Sequence, residues 1–153
     1  MASDPDPDHL ANLRNLRSVV EDNLRLQHYW TDLTMLDTVA DVQGGNIDGG
    51  SDAPLLRPMI HGRPPEQLYD PEHAASNSST GKAPKPTPEL EYVFPVHIDE
   101  LFSLRKWAAV FDSLPKPHEG AERRKRIVVA VVSGDSTVVY YIMHDGIVKP
   151  RQN

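Results

Sequence analysis

The sequence predicts a single α/β domain with a mixed β-sheet and flanking helices. Three observations predict it: a helical pattern near the N-terminus, five strand-like segments, and a second helical pattern between the third and fourth of these segments. The 153 residues suit one domain, because a chain of this length can bury a core without disulfides or metals. We place the domain at residues 9–150, after an acidic tail at residues 1–8 that we expect to be disordered.

The first helix is predicted from Asp8 to about Tyr29. Leucine and valine recur at helical spacing, at Leu10, Leu13, Leu16, Val20 and Leu24. Asp8 is a residue type that caps helix N-termini. The next segment, "WTDLTMLDTV", alternates threonine with apolar residues, which predicts the first strand.

The second strand is predicted at "LLRPMIHG". Its Pro58 lacks an N–H group, which indicates either an edge strand or a bulged strand. Before it, "ADVQGGNIDGGSDAP" has the composition of a loop. After it, Pro, Ser, Gly and Asn dominate, and we predict a flexible insertion at about residues 66–88.

The third strand is predicted at "LEYVFPV", and the second helix at "HIDELFSLRKWAAVFDSL". One broad helical face is formed by Ile98, Leu101, Phe102, Ala108 and Phe111. Asp99 and Glu100 would then lie in the first turn, where carboxylates are favourable. A loop at "PKPHEGAE" is predicted to follow.

The last two strands are predicted at "RIVVAVV" and "STVVYYIM", joined by "SGDS". Ile127–Val132 is apolar on both faces, which is typical of a central strand. Neighbouring Tyr140 and Tyr141 must point to opposite faces, one into the core and the other beside Val139 and Met143. A strand that is apolar on both faces needs a packing partner on each face. One partner is the domain's own helix, and we expect the other to be a partner subunit.

Composition excludes several classes of function. The net charge of −6 argues against a dedicated nucleic-acid binder, and the absence of cysteine excludes disulfides and thiolate metal sites. The seven histidines lack ligand spacing, so we predict no metal and no cofactor. Without an apolar span or a signal-like N-terminus, we expect a soluble, intracellular protein.

The basic run before the fourth strand comprises Arg123, Arg124, Lys125 and Arg126. Such a cluster can bind the phosphates of RNA. Charged residues at this position can equally form a solvated surface that keeps a sheet edge from aggregating. Both interpretations stay open on sequence grounds.

The C-terminal segment "IVVAVVSGDSTVVYYIMHDGIVKPRQN" resembles the smallest structural subunits of eukaryotic tRNA-splicing endonuclease. It shares with them a hydrophobic strand, a "DST" turn, a "VVYY" strand, then "DG" and a proline. "HYWTDLTML" and "RPMIHGRPP" are similar to the N-terminal half of fungal members. The resemblance is specific over Ile127–Asn153, weaker over Gln27–Pro65 and absent from the Pro/Ser-rich insertion.

The resemblance implies a restriction-nuclease-like fold shared with the tRNA-intron endonucleases. It also implies a heterotetramer of two catalytic and two structural subunits, in which this subunit type pairs with a catalytic subunit through its C-terminal strand. The interface residues implied here are Asp135, Thr137, Val138, Val139, Tyr140, Tyr141, Ile142 and Met143. A second family contact is an acidic loop, and the matching turn at 133–136 carries only Asp135.

Catalytic subunits of this family use a tyrosine, a histidine and a lysine to form a 2′,3′-cyclic phosphate. Lys125 lies at or near the lysine position, but "TPELEY" stands where the histidine would be. One cation cannot perform the acid–base steps, so we predict no catalytic residues and a non-catalytic subunit.

Two alternatives stay open, together with the location in the cell. The first is a weak or degenerate ribonuclease using Lys125 with His97 or His118. The second is a homodimeric scaffold, formed when the isolated chain pairs its last strand with its own copy. The resemblance implies nuclear localisation or, as in some yeasts, the outer face of mitochondria, and access to precursor tRNA through the complex.

Overall fold

A computed structural model describes residues 7–38, 54–68, 87–114 and 126–146. The elements are α1 (Pro7–Leu26), β1 (Thr31–Thr38), β2 (Pro54–Arg63), β3 (Glu91–His97), α2 (Leu104–Ser113), β4 (Arg126–Val132) and β5 (Val138–His144). Five strands and two helices confirm the predicted mixed α/β class. No helix within the described ranges is both long and apolar enough to cross a membrane.

Several predictions fall outside the described residues. They are the acidic tail up to residue 6, the loop at 39–53, the insertion at 69–86, the loop at 115–122 and residues 123–125 of the basic run. These predictions stay predictions, as do the exact limits of the domain.

The strands form one sheet in the order β1-β2-β3-β4-β5. β3 and β4 run parallel, and every other neighbouring pair is antiparallel. β4 lies between β3 and β5, and its side chains are buried from Ile127 to Ala130. The prediction of a central strand at this position is therefore confirmed.

Each face of the sheet carries its own hydrophobic core, because successive side chains of a strand point to opposite faces. The α1 face buries Val20, Leu24, Trp30, Ile60, Val93, Val128, Ala130 and Val132. The α2 face buries Leu36, Met59, Tyr92, Phe94, Val96, Val110, Phe111, Leu114, Ile127 and Val129. The sheet is thus covered from both sides by the chain's own helices, up to the last strand.

The first helix differs from its prediction at both ends. It begins at Pro7, so Asp8 lies in the first turn and is not the N-cap. It ends at Leu26, before the predicted end, because Tyr29 takes a positive φ of 56° that no helix tolerates. The backbone N–H groups of Gln27 and His28 both donate to the carbonyl of Asn23 and close the last turn.

The second strand resolves the alternatives left open by Pro58. β2 lies between β1 and β3, so the edge-strand interpretation is wrong. The bulge interpretation is confirmed, because the pairing of β1 with β2 jumps from Leu36–Met59 to Thr38–Pro54. Pro58 lies inside this irregular stretch, where its missing N–H breaks no regular ladder.

The second helix begins later than predicted, at Leu104, with the Ser103 hydroxyl accepting a hydrogen bond from the Lys106 N–H at 3.3 Å. Glu100 therefore does not lie in a helical first turn. Its carboxylate instead accepts the His97 N–H at 2.8 Å and pairs with the buried guanidinium of Arg57. A buried cation is stable only beside a negatively charged partner. The segment around Glu100 therefore stays out of the helix, despite its helical pattern, and its carboxylate pairs with Arg57.

Candidate subunit interface

β5 forms one edge of the sheet, and its pairing with β4 is regular. The register runs without a bulge from Arg126–His144 to Val132–Val138. Among the described strands, β5 pairs with β4 alone. Within the described part of the chain no strand pairs with the other side of its backbone, and such an edge carries unpaired N–H and C=O groups.

The turn that leads into β5 is closed by one main-chain hydrogen bond and one side-chain hydrogen bond. The Ser133 N–H donates to the Thr137 carbonyl at 2.9 Å, and the Asp135 carboxylate accepts the Thr137 N–H at 3.0 Å. That hydrogen bond lowers the pKa of Asp135. Ser136 adopts a positive φ of 66°. Asp135 thus stabilises the hairpin, and its role in an interface stays a prediction.

Tyr140 belongs to the α1 face. Its hydroxyl donates to Asn23 Oδ1 at 2.6 Å, and its ring meets the edge of the His28 ring at 5.1 Å between centroids. Burial raises the pKa of Tyr140 far above its ordinary value. Tyr140 is therefore the core member of the tyrosine pair, and it ties β5 to α1.

Tyr141 lies on the opposite face, together with Val139 and Met143. Val139 is 44% exposed and Tyr141 is 60% exposed, whereas Met143 packs against the core. The buried side chains of α2 contact a core that reaches back to Leu36 and Met59 at the other end of the sheet. The prediction that the two tyrosines divide between the faces is confirmed, and β5 keeps an apolar surface that α2 does not bury.

A groove of about 290 Å³ lies beside β5 and the end of α1. It is lined by Leu24, His28, Trp30, Leu68, Val128, Tyr140, Tyr141 and Ile142. Nothing in the sequence predicts this groove. The residues come from four separate segments, and no local pattern places Leu68 next to Ile142.

Comparison with known proteins decides the family. The family model described as "Sen15 protein" matches residues 19–153. The chain belongs to the Sen15 protein family. The match includes both segments on which the predicted resemblance rests, Gln27–Pro65 and Ile127–Asn153, so the resemblance is confirmed.

Three fungal proteins are similar to this Sen15 family member along most of its length. The probable tRNA-splicing endonuclease subunit tsp-1 of Neurospora crassa is 38% identical over 165 residues, covering 93% of this chain and 67% of the relative. The probable subunit sen15 of Schizosaccharomyces pombe is 29% identical over 143 residues, covering 88% and 80%. The subunit SEN15 of Eremothecium gossypii is 27% identical over 146 residues, covering 92% and 93%.

The basic run of this chain is described only at Arg126. The guanidinium donates to Glu91 Oε1 at 2.5 Å and lies 3.8 Å from a Glu89 carboxylate oxygen. Glu91 is buried, so it needs this cation as a partner. Arg126 therefore stabilises the junction of β3 and β4, which sequence reasoning did not foresee.

His97 lies at the other end of the sheet from the basic run. His97 pairs in register with Val132, whereas Arg126 begins the same strand six residues earlier. At about 3.3 Å per residue, His97 and Arg126 are separated by roughly 20 Å. Lys125 and His118 lie outside the described residues, so a site that joins Lys125 with His97 or His118 stays a prediction. The described residues contain no cluster of three metal-ligating side chains.

Proposed function

We propose that this Sen15 family member is a non-catalytic structural subunit of a tRNA-splicing endonuclease, which removes introns from precursor tRNA. In this proposal it pairs with a catalytic subunit through β5. The names of its relatives support membership of the complex. The observation that carries the pairing is the regular β5 edge with its exposed apolar side chains.

Addition of a partner strand to β5 explains both features of this edge. The main-chain groups on the outer side of β5 gain hydrogen bonds, and the side chains of the added strand cover its apolar faces. Complete burial of a large apolar side chain contributes about 1.5–3 kcal/mol. Val139 and Tyr141, which the chain itself leaves exposed, are the residues that gain most from such a partner.

The lack of catalysis is proposed on chemical grounds. Cleavage needs a base for the 2′-OH, an acid for the leaving group and a cation for the phosphorane. "TPELEY", at the start of β3, offers no histidine at the position implied by the family resemblance. We expect the isolated chain to leave intron-containing precursor tRNA intact. Cleavage that disappears in Lys125→Ala would contradict this.

Three finer expectations accompany the proposal. We expect residues 123–125 to make a minor contact to the RNA backbone. Arg126 stabilises the fold by its ion pair with Glu91. The sheet is related to the restriction-nuclease-like fold of the tRNA-intron endonucleases. The protein is nuclear or, as in some yeasts, lies on the cytosolic face of mitochondria. A fluorescent fusion expressed in its native cell tests the last expectation.

The pairing is tested by co-expression with the catalytic subunit and a binding titration. Tyr141→Asp places a charge where the partner strand would exclude water, so we expect binding at least about 100-fold weaker, or roughly 3 kcal/mol. Thr34→Asp is the matched control, since Thr34 is exposed on β1 at the other edge. Equal binding by both variants would remove β5 from the interface.

Sedimentation of the isolated chain tests the homodimeric alternative. If β5 pairs with a second copy when no catalytic subunit is present, the wild-type chain sediments as a dimer and Tyr141→Asp as a monomer. A dimer that survives Tyr141→Asp would show that self-association uses a surface other than β5.

A further inference from the structure

The connection between β3 and α2 displays two leucines almost completely to solvent. Leu101 is 92% exposed and Leu104 is 88% exposed. We propose that Leu101, Leu104, Arg105 and Lys106 form a second protein-docking surface, which binds an apolar groove bordered by carboxylates on another subunit. This inference rests on the proposed membership of the complex but not on the β5 interface.

A partly buried ion pair holds the connection in place. Arg57 Nη1 donates to Glu100 Oε1 at 2.7 Å and to the Pro95 carbonyl at 3.1 Å, and Nη2 donates to the second Glu100 oxygen. Glu100 Oε1 also accepts the His97 N–H. These bonds join β2, the end of β3 and the residue immediately before Leu101.

The residues that follow Leu101 are fixed as well. The Phe102 ring packs against Phe94 and Trp107, at centroid distances of 5.7 and 4.8 Å. Arg57 lies 5.2 Å from the same ring centroid, and Lys106 Nζ lies 5.5 Å from it. Phe102 therefore anchors the segment inward. A surface ordered in advance loses little conformational entropy when it binds.

The leucines contribute little to this fold. The core role in the segment belongs to Phe102, and the α2 side chains buried below it are Val110 and Phe111. Single exposed apolar residues are common, but here two leucines lie three residues apart, on either side of the anchored Phe102 and the N-cap Ser103. Their burial against a partner would contribute about 1.5–3 kcal/mol each.

The charges beside the leucines indicate the chemistry of the partner. Arg105 and Lys106 are exposed next to Leu104, although the whole chain carries a net charge of −6. Of the two carboxylates before Leu101, Glu100 pairs with Arg57, whereas Asp99 is exposed and lies 3.5 Å from His97 Nδ1. A partner groove with acidic borders would complement this rim. RNA fits less well, because single-stranded bases stack on aromatic rings and the exposed side chains here are aliphatic.

The test uses the full complex, formed by co-expression with the other subunits of tRNA-splicing endonuclease and measured by native mass spectrometry. In the double variant Leu101→Ser/Leu104→Ser, we expect the pair with the catalytic subunit to persist and the four-subunit complex to dissociate at least 10-fold more readily. Leu26→Ser is the matched control, since Leu26 is an exposed leucine on α1. Arg105→Glu/Lys106→Glu should produce the same loss.

Three results would overturn the inference. The four-subunit complex could be as stable in the leucine variant as in Leu26→Ser. It could assemble normally yet bind precursor tRNA more weakly, which would make this an RNA surface. The leucine variant could also lose the pair itself while staying folded, which would assign the leucines to the β5 interface. Failure of the wild-type chain to assemble would refute the proposed function and this inference together.

Discussion

The two edges of the sheet are built in opposite ways. β1 is irregular: its pairing with β2 shifts register twice, and Asp32 adopts a positive φ of 53°. Charged groups border it, with Arg63 paired to Asp32 at 3.1 Å and Arg17 paired to Asp37 at 2.9 Å. β5 is regular over its whole length and exposes apolar side chains.

This difference indicates which edge is intended for a partner. Bulges and charges are the means by which proteins keep edge strands from pairing with other chains. β1 carries both, and β5 carries neither among its exposed side chains at Val139, Tyr141 and Ile142. This difference supports the proposal that a partner strand pairs with β5 and not with β1.

The largest expected effect on stability comes from the β1 side of the sheet. Glu100→Gln leaves the buried guanidinium of Arg57, which lies in the irregular part of β2, without its carboxylate. We expect the free energy of unfolding to fall by about 3 kcal/mol in urea titrations. Asp22→Asn, an exposed carboxylate on α1, is the control and should change it little.

The affinity of the Glu100→Gln variant for the catalytic subunit tests whether β5 acts independently of the rest of the sheet. If β5 alone forms the interface, the folded variant should bind the catalytic subunit with unchanged affinity. A loss of affinity in fully folded protein would show that the two sides of the sheet are coupled.

The same carboxylate predicts a pH dependence. Burial by itself would raise the pKa of Glu100, but hydrogen bonds from Arg57 and the His97 N–H, with the charge of Arg57, lower it overall from 4.5. The unfolded chain therefore binds this proton first, and the contribution of Glu100 to stability is lost as the pH falls through the folded-state pKa. Urea midpoints between roughly pH 6 and pH 3 should drop more steeply in wild type than in Glu100→Gln. Parallel curves would contradict this role.

The smallest expected effect is a difference in stability between substitutions of the two neighbouring tyrosines of β5. Tyr140→Phe removes the hydroxyl that donates to Asn23, so we expect a loss of about 1 kcal/mol in the free energy of unfolding. Tyr141→Phe should leave stability unchanged, because the ring is exposed and its hydroxyl forms no hydrogen bond with the residues that the structure describes. Equal losses in both variants would show that the two faces of β5 are not distinct.

Local patterns in the sequence were sufficient for the strands. Alternating or continuous apolar runs predicted all five strands. The side chains of Tyr140 and Tyr141 had to lie on opposite faces of the sheet, because side chains alternate along a strand. The start of α2 could not be predicted in this way. It depends on Arg57, which is distant in sequence and buries a cation beside Glu100. The same limit applies to Arg126 with Glu91 and to the groove at Leu68 and Ile142.

The backbone amides of β5 offer the most direct test of the open edge. Ser133 and Thr137 form a bonded pair, and bonded pairs recur at every second residue of an antiparallel ladder. The amides of Val139, Tyr141 and Met143 should therefore bond to β4, and those of Val138, Tyr140 and Ile142 should point outward.

Residue-resolved hydrogen exchange, with and without the catalytic subunit, measures this alternation. We predict that binding slows exchange at the outward amides of Val138, Tyr140 and Ile142, and leaves the β1 amides unchanged. Protection along β1, or none along β5, would contradict the assignment of β5 as the assembly edge.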